Sequence, residues 1–207
     1  MKKVSILVDH KSWILKYARL LFKEIKKLNY SVTFARKHSE IKKGDILFIL
    51  GCKNLLNKSV LIKNKFNLVI HESNLPKGKG MNPVSNQILK KKKKIICSMF
   101  NATQKMDNGP IVLKDSFEVK KNDFYEDWRL KQGMTTIKMC LKFLSLKSIV
   151  LKKQKGKSTY FKKLNKNMFE IKVNSSIKKQ HRILQAADFK KFVPFFKIKK
   201  KIFYIKK

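Results

Sequence analysis

Ile46-Leu-Phe-Ile-Leu50 is a run of five apolar residues with no polar one among them. A strand with one wet face alternates apolar and polar residues; a strand without alternation is buried on both faces. It needs helices above and below, and the arrangement that supplies them is a parallel sheet. Val4-Ser-Ile-Leu-Val8, Ser31-Val-Thr-Phe34 and Leu68-Val-Ile70 read as three more short strands. Between the first two, Ser12 is placed to cap a helix. That helix sets Trp13, Tyr17, Leu20, Leu21, Ile25 and Leu28 on one face and Lys23, Lys26 and Lys27 outward. Gly44-Asp45 is a turn, and a weaker helix covers about 53–62. Strand–helix–strand occurring twice predicts an open, mostly parallel α/β sheet.

The later chain is less regular. Pro83 to Leu89 suits a short helix, and Lys90 to Lys94 a solvated turn. Lys94 to Phe100 and Ile111 to Val119 read as paired strands. A long helix follows from Asp123 to about Leu146, with Trp128, Leu130, Ile137, Cys140, Leu141 and Leu144 inward. These elements make an α/β domain over residues 1–150. Residues 151–158 are a basic linker. Short apolar runs at Phe169–Val173, 195–199 and Lys201–Ile205 predict a small β-rich C-terminal subdomain over 159–207.

The formal net charge is +38, from 51 Lys+Arg against 13 Asp+Glu. One reading is a polyanionic partner such as nucleic acid. The other is coding bias spread over solvated faces. The scarcity of arginine, confined to Arg19, Arg36, Arg129 and Arg182, favours the second, because arginine is the side chain that clamps phosphates and reads base edges. Nonspecific attraction to anions follows either way. No apolar run reaches the roughly 18 residues of a membrane helix, and the run before Asp9 is too short for a signal-peptide core. Cys52, Cys97 and Cys140 lack metal-ligand spacing, as expected of reduced thiols in a cytoplasmic protein. His10, His38, His71 and His181 are isolated from one another, so no metal site is expected.

One histidine stands apart. Asn67-Leu-Val-Ile-His71-Glu-Ser73-Asn-Leu-Pro76-Lys-Gly78-Lys-Gly80 runs from an apolar strand into a glycine-rich loop, with His71 at the junction. Asp107-Asn108-Gly109-Pro110 precedes a later strand. In open α/β sheets ligands bind at the C-terminal strand edge. A histidine and a carboxylate brought together there suit acid/base chemistry, although Asp-x-Gly is also an ordinary turn.

These residues resemble a family. His71-x-Ser73-x-Leu75-Pro76 and Asp107-Asn-Gly109-Pro110 are similar to the motifs of formyltransferases that use 10-formyltetrahydrofolate. The longer run from His71 to Gly80, with Gln87-Ile-Leu89, resembles a bacterial branch associated with surface-sugar (lipopolysaccharide) biosynthesis. So do Asp9-x-x-x-Trp13, Gly44-Asp-Ile-Leu-Phe48, Leu141-Lys-Phe-Leu144 and Arg182 to Phe196. The resemblance implies a Rossmann-like catalytic domain over 1–150, with 10-formyltetrahydrofolate as formyl donor and an amine as acceptor.

It also implies roles. An amine attacks the formyl carbon, charge builds on oxygen, and protons move from the amine to the folate nitrogen. His71 would supply the donor for that oxygen, and Asp107 would hold the imidazole and relay a proton. Leu50, Gly51, Cys52, Asn108, Gly109 and Pro110 would bind the folate. Asp9, Trp13, Ser73, Lys77, Gly78, Lys79 and Gly80 would bind the acceptor, with the two lysines near a sugar-nucleotide pyrophosphate. One position departs from most of the family: the asparagine expected two residues before the histidine is Val69, and Asn67 lies too far down the strand to replace it. The expected acceptor is an amino sugar on a nucleotide. The small C-terminal segment disfavours initiator tRNA, whose formyltransferases carry a full β-barrel there. A methionyl-tRNA acceptor, and a catalytically silent lysine-rich polyanion binder, are the alternatives.

Overall fold

The computed structural model describes residues 2–206. A six-stranded sheet drawn from residues 3–118 has the order β2-β1-β3-β4-β6-β7. Its strands are β1 (Lys3–Leu7), β2 (Ser31–Ala35), β3 (Gly44–Ile49), β4 (Asn64–His71), β6 (Lys94–Asn101) and β7 (Ile111–Glu118), with a two-residue β5 (Lys79–Gly80) outside it. The pairs among β1 to β4 are parallel, and β6 is antiparallel to both its neighbours. Only β6 therefore runs against the rest. The apolar run Ile46–Leu50 is buried throughout, as a strand covered on both faces requires.

Helices α1 (Leu15–Lys27) and α4 (Tyr125–Leu144) pack together on one face; α2 (Lys58–Leu61) and α3 (Pro83–Leu89) are short. Gly133 of α4 lies so close to α1 that a Cβ there would come 2.4 Å from the Tyr17 ring. Three inward assignments fail. Leu20 and Leu28 are half-exposed, and so is Leu130. Leu20 sits about 120° around α1 from the buried Tyr17, Ala18, Leu21 and Ile25, at roughly 100° per residue. Leu28 lies past the last helical residue, and Leu130 is on the far side of α4 from Trp128. Ser12 does not cap α1 with its side chain; its carbonyl accepts from Leu15 N (3.1 Å).

Beyond α4 come β8 (Tyr160–Phe161), α5 (Ile177–Ala186) and the hairpin β9 (Phe195–Ile198)–β10 (Lys201–Tyr204). Phe169–Val173, expected to be extended, enters through a 3-10 turn and makes one bridge, Glu170 to Phe195. Helix α5 was not expected. It docks on α3. The Gln185 amide donates to the carbonyls of Lys120, Lys121 and Asp123, and Trp128 Nε1 donates to the Gln185 carbonyl (2.8 Å). The C-terminal segment is thus bonded to the start of α4. No helix among the described residues is long and apolar enough to cross a membrane.

Candidate active site

His71 is the last residue of β4 and is buried. Its Nε2 lies 2.7 Å from the Gly78 carbonyl. A carbonyl only accepts, so Nε2 carries the proton and Nδ1 of the neutral ring presents a lone pair. Nδ1 stands 3.7 Å from Asp107 Oδ1. That is beyond hydrogen-bond range and within ion-pair range. The two atoms are thus neighbours without being hydrogen-bonded to each other.

Asp107 does not reach His71 along the strand edge. Strand β6 ends opposite the middle of β4: Asn101 pairs with Leu68, and Ala102 N donates to the Asn67 carbonyl (2.6 Å). The loop from 102 to 110 must double back over the sheet. Several contacts hold it there. Asp107 adopts φ +48°, a left-handed conformation that aspartate tolerates. Its Oδ2 accepts from Gly80 N (2.8 Å). Gln154 Nε2 donates to the carbonyls of Asp107 (3.0 Å) and Gly109 (2.8 Å). Gly109 passes Asn101 so closely that a Cβ would lie 1.7 Å from its carbonyl oxygen.

Residues 152–161 act as a strap. Lys152 bridges to Ile111, Thr159 Oγ1 accepts from Gly78 N (2.9 Å), and β8 pairs in parallel with β5. The Phe161 ring fills the space beside Gly78, which has φ +75° and no room for a Cβ. The glycine-rich loop that supplies the His71 partner is therefore fixed by residues 159–161, the start of the expected C-terminal subdomain, while Gln154 of the expected linker holds the Asp107 turn. Neither Gln154 nor Thr159 stands out in the sequence.

Trp13, Gly51, Cys52, His71, Gly80 and Asp107 line one cleft of about 1270 Å³ at the C-terminal strand edge. Leu56, Val69, Phe100 and Met106 are among its apolar lining residues. Leu50 lines a smaller adjoining cavity of about 190 Å³. The remaining expected residues lie outside these linings. Lys79 is buried and donates to Asn108 Oδ1 (2.9 Å), so its ammonium turns inward and braces the Asp107 loop. Lys77 is exposed and Ser73 is buried with an unpartnered hydroxyl. Gly78, Asn108, Gly109 and Pro110 shape the loops behind His71 and Asp107. Asn67 donates to the Leu61 and Asn64 carbonyls and is occupied there.

Asp9 is likewise engaged. Its carboxylate meets His10 Nδ1 (2.8 Å), Lys53 N (3.2 Å) and His38 Nε2 (3.4 Å). Burial alone would raise its pKa, but the bonds from His10, the Lys53 and Asn54 amides and His38 outweigh burial and hold it below the ordinary carboxylate value. Burial pushes the Cys52 thiol up to about 12.

The sequence model of the family described as formyl transferase matches residues 27–134, more than half of the chain. The chain belongs to the formyl transferase family. A methionyl-tRNA formyltransferase of Clostridium beijerinckii is 28% identical over 151 residues, covering 69% of this chain and 48% of that protein. This formyl transferase chain thus spans about half the length of the curated relatives it matches. Among solved structures, a methionyl-tRNA formyltransferase from Clostridium thermocellum superposes with TM-score 0.76 at 21% identity, over 99% of this chain and 97% of that one. A sugar N-formyltransferase from a Shewanella species gives TM-score 0.70 at 16% identity, over 99% and 96%. At these identities the structural likenesses establish the shared fold.

Proposed function

We propose that the protein transfers a formyl group from 10-formyltetrahydrofolate to an amine, with His71 and Asp107 as the catalytic pair. The observation that carries this is the 3.7 Å opening between His71 Nδ1 and Asp107 Oδ1 in the lining of the cleft. The folate carries the formyl group in. Its flat ring suits the apolar residues that line the cleft, whose volume exceeds the roughly 300–1,000 Å³ typical of ligand sites. Gly78 fixes the ring of His71 so that the Nδ1 lone pair faces the incoming amine. Nδ1 takes the amine proton, and the Asp107 carboxylate stabilises the imidazolium. The Nδ1 proton is then available for the departing nitrogen. Because Nε2 is engaged by Gly78 and Nδ1 starts as the base, His71 can donate to the charged oxygen only after Nδ1 has taken up the amine proton, a narrower role than the resemblance implies.

The acceptor in this proposal is an amino sugar on a nucleotide, which the fold shared with the Shewanella enzyme supports. Methionyl-tRNA is the second reading, supported by the Clostridium beijerinckii relative. The test is incubation with 10-formyltetrahydrofolate and a panel of nucleotide-linked amino sugars, read by mass for one added formyl group. A silent lysine-rich polyanion binder, suggested by the +38 charge, would instead bind nucleic acid in a strongly salt-dependent way and form no product.

A further inference from the structure

We propose that the small cavity behind Trp13 is the acceptor specificity pocket, and that it takes one polyhydroxylated six-membered ring rather than an aminoacyl side chain. This deepens the formyl-transfer proposal and relies on it only for which group reacts. The cavity, about 190 Å³, opens into the main cleft: Trp13, Ile70, Asn82 and Arg129 line both. It is smaller than the roughly 300–1,000 Å³ of sites for drug-sized ligands, so it suits one ring and not a whole nucleotide. Side chains alternate along β4. Ile70, in the cavity, therefore faces away from Val69 and His71. The cavity thus lies on the opposite face of β4 from Val69 and His71 and joins the main cleft through the residues that line both.

The polar groups of the cavity form a spaced chain. The Arg129 guanidinium lies 4.4 Å from the Trp13 ring, 4.5 Å from Trp128 and 4.9 Å from Tyr125. Its Nη1 donates to Gln132 Oε1 (2.7 Å), and Gln132 Nε2 donates to Glu72 Oε1 (2.6 Å). Gln132 is buried, so cation and carboxylate are held apart instead of neutralising each other. Arg129 Nε is buried without a partner. Among the described residues, Gln132 is the one hydrogen-bond donor to the Glu72 carboxylate. The Glu72 carboxylate, with that one donor, thus keeps acceptor capacity at the wall of a small cavity that Arg129 also lines.

A hydroxyl donates as well as accepts, so a ring bearing several can add a donor to the Glu72 carboxylate and offer acceptors to the other polar residues of the lining, Asn82 and Thr136. Trp13 and Ile70 give its C–H faces an apolar wall. A methionyl side chain offers a thioether, which is a weak acceptor and no donor. Placed here it would dehydrate the Glu72 carboxylate without adding a donor to the one from Gln132.

The test reads binding without turnover. The protein has two tryptophans, Trp13 in the cavity and Trp128 fully buried, so tryptophan emission reports occupancy. Nucleoside-diphosphate-linked aminohexoses with the amine at different ring carbons, methionine methyl ester and 5-formyltetrahydrofolate are titrated into wild type, Glu72→Gln and Gln132→Met. At least one sugar probe should bind saturably. Its Kd should rise about 10- to 100-fold in each variant, the scale of one lost charge-assisted hydrogen bond. The folate Kd should stay within about twofold. Glu72→Gln preserves shape, so a folding defect in Gln132→Met does not blunt the test. The proposal is overturned if no sugar probe binds, if the sugar Kd is unchanged in both variants, or if the methionine ester binds as tightly as the sugar. A wild-type protein that binds the sugar yet transfers no formyl group supports the pocket and contradicts the catalytic proposal.

Discussion

The side-chain amide of Gln154 hydrogen-bonds the main-chain carbonyl of Asp107 at 3.0 Å, from a segment that looks like a solvated linker. The same amide also holds the Gly109 carbonyl, so one side chain fixes the turn that aims the Asp107 carboxylate. Gln154→Ala should lower formyl transfer by about tenfold or more, given how steeply rate depends on placement of a catalytic group. It should cost about 1–3 kcal/mol of stability for the buried carbonyls left without a donor. Steady-state kinetics and thermal melting check both. An unchanged kcat would mean the turn holds itself.

Gly78 combines φ +75° with a ring against its Cα hydrogen: a Cβ would sit 2.4 Å from Phe161 Cε2. Gly78→Ala should destabilise the protein by more than about 1 kcal/mol. It should also reduce transfer by moving the carbonyl that orients His71. Adding Phe161→Leu should recover part of the stability and less of the activity, because the backbone strain remains. Denaturant unfolding of the single and double variants measures this.

Asp9 has a depressed pKa in the folded state. A depressed carboxylate contributes stability that is present above its unfolded pKa and is lost as pH falls through the folded value. Asp9→Asn should therefore destabilise the protein at neutral pH, with the difference from wild type shrinking below the ordinary carboxylate range near about pH 4. Melting curves across pH test the sign. A difference that grows on acidification would contradict the assignment.

Cys52 lies in the cleft lining, but burial pushes its thiol up to about 12. The thiolate is the reactive form. Alkylation by iodoacetamide at neutral pH should be slow and should accelerate with each pH unit well into the alkaline range. Intact-mass time courses at several pH values would show it. Fast labelling at pH 7 would contradict the burial argument.

The sheet was legible because Ile46–Leu50 is an uninterrupted apolar run and strand–helix–strand recurs around it, which leaves few topologies. Pro83–Leu89 came out with its observed ends, as proline at the first turn of a helix leads one to expect. The partnership of His71 with Asp107 was legible as chemistry but not as geometry. Nothing local shows that β6 stops opposite Leu68 and that the loop must double back. Lys79 reads like any other lysine in a chain with 51 basic residues; only the folded chain shows that it is buried against Asn108. Gln154 and Thr159 are invisible for the same reason, since their partners are distant in sequence. Helix α5 was missed because its buried positions are Gln185 and Ala186, and polar positions give no apolar stripe. Nothing local marks Glu72 beside His71, and the Gln132–Arg129 relay depends on the packing of α4 against the sheet.

The +38 charge bears on assays more than on chemistry. Binding to RNA should weaken steeply between low and physiological salt, as counterion release dictates. Formyl transfer to an amino sugar should persist at about 150 mM salt, where surface attraction is screened beyond about 8 Å. Filter binding and product mass on the same preparation separate the two.

The central claim is that His71 Nδ1 and the Asp107 carboxylate together move the proton of formyl transfer. The direct test is formylated-product formation by wild type, His71→Gln and Asp107→Asn, with 5-formyltetrahydrofolate binding measured in parallel. Both variants should bind the folate with wild-type affinity and lose at least about a hundredfold in rate, the scale of a missing general acid/base. Near wild-type turnover in either variant would contradict the account.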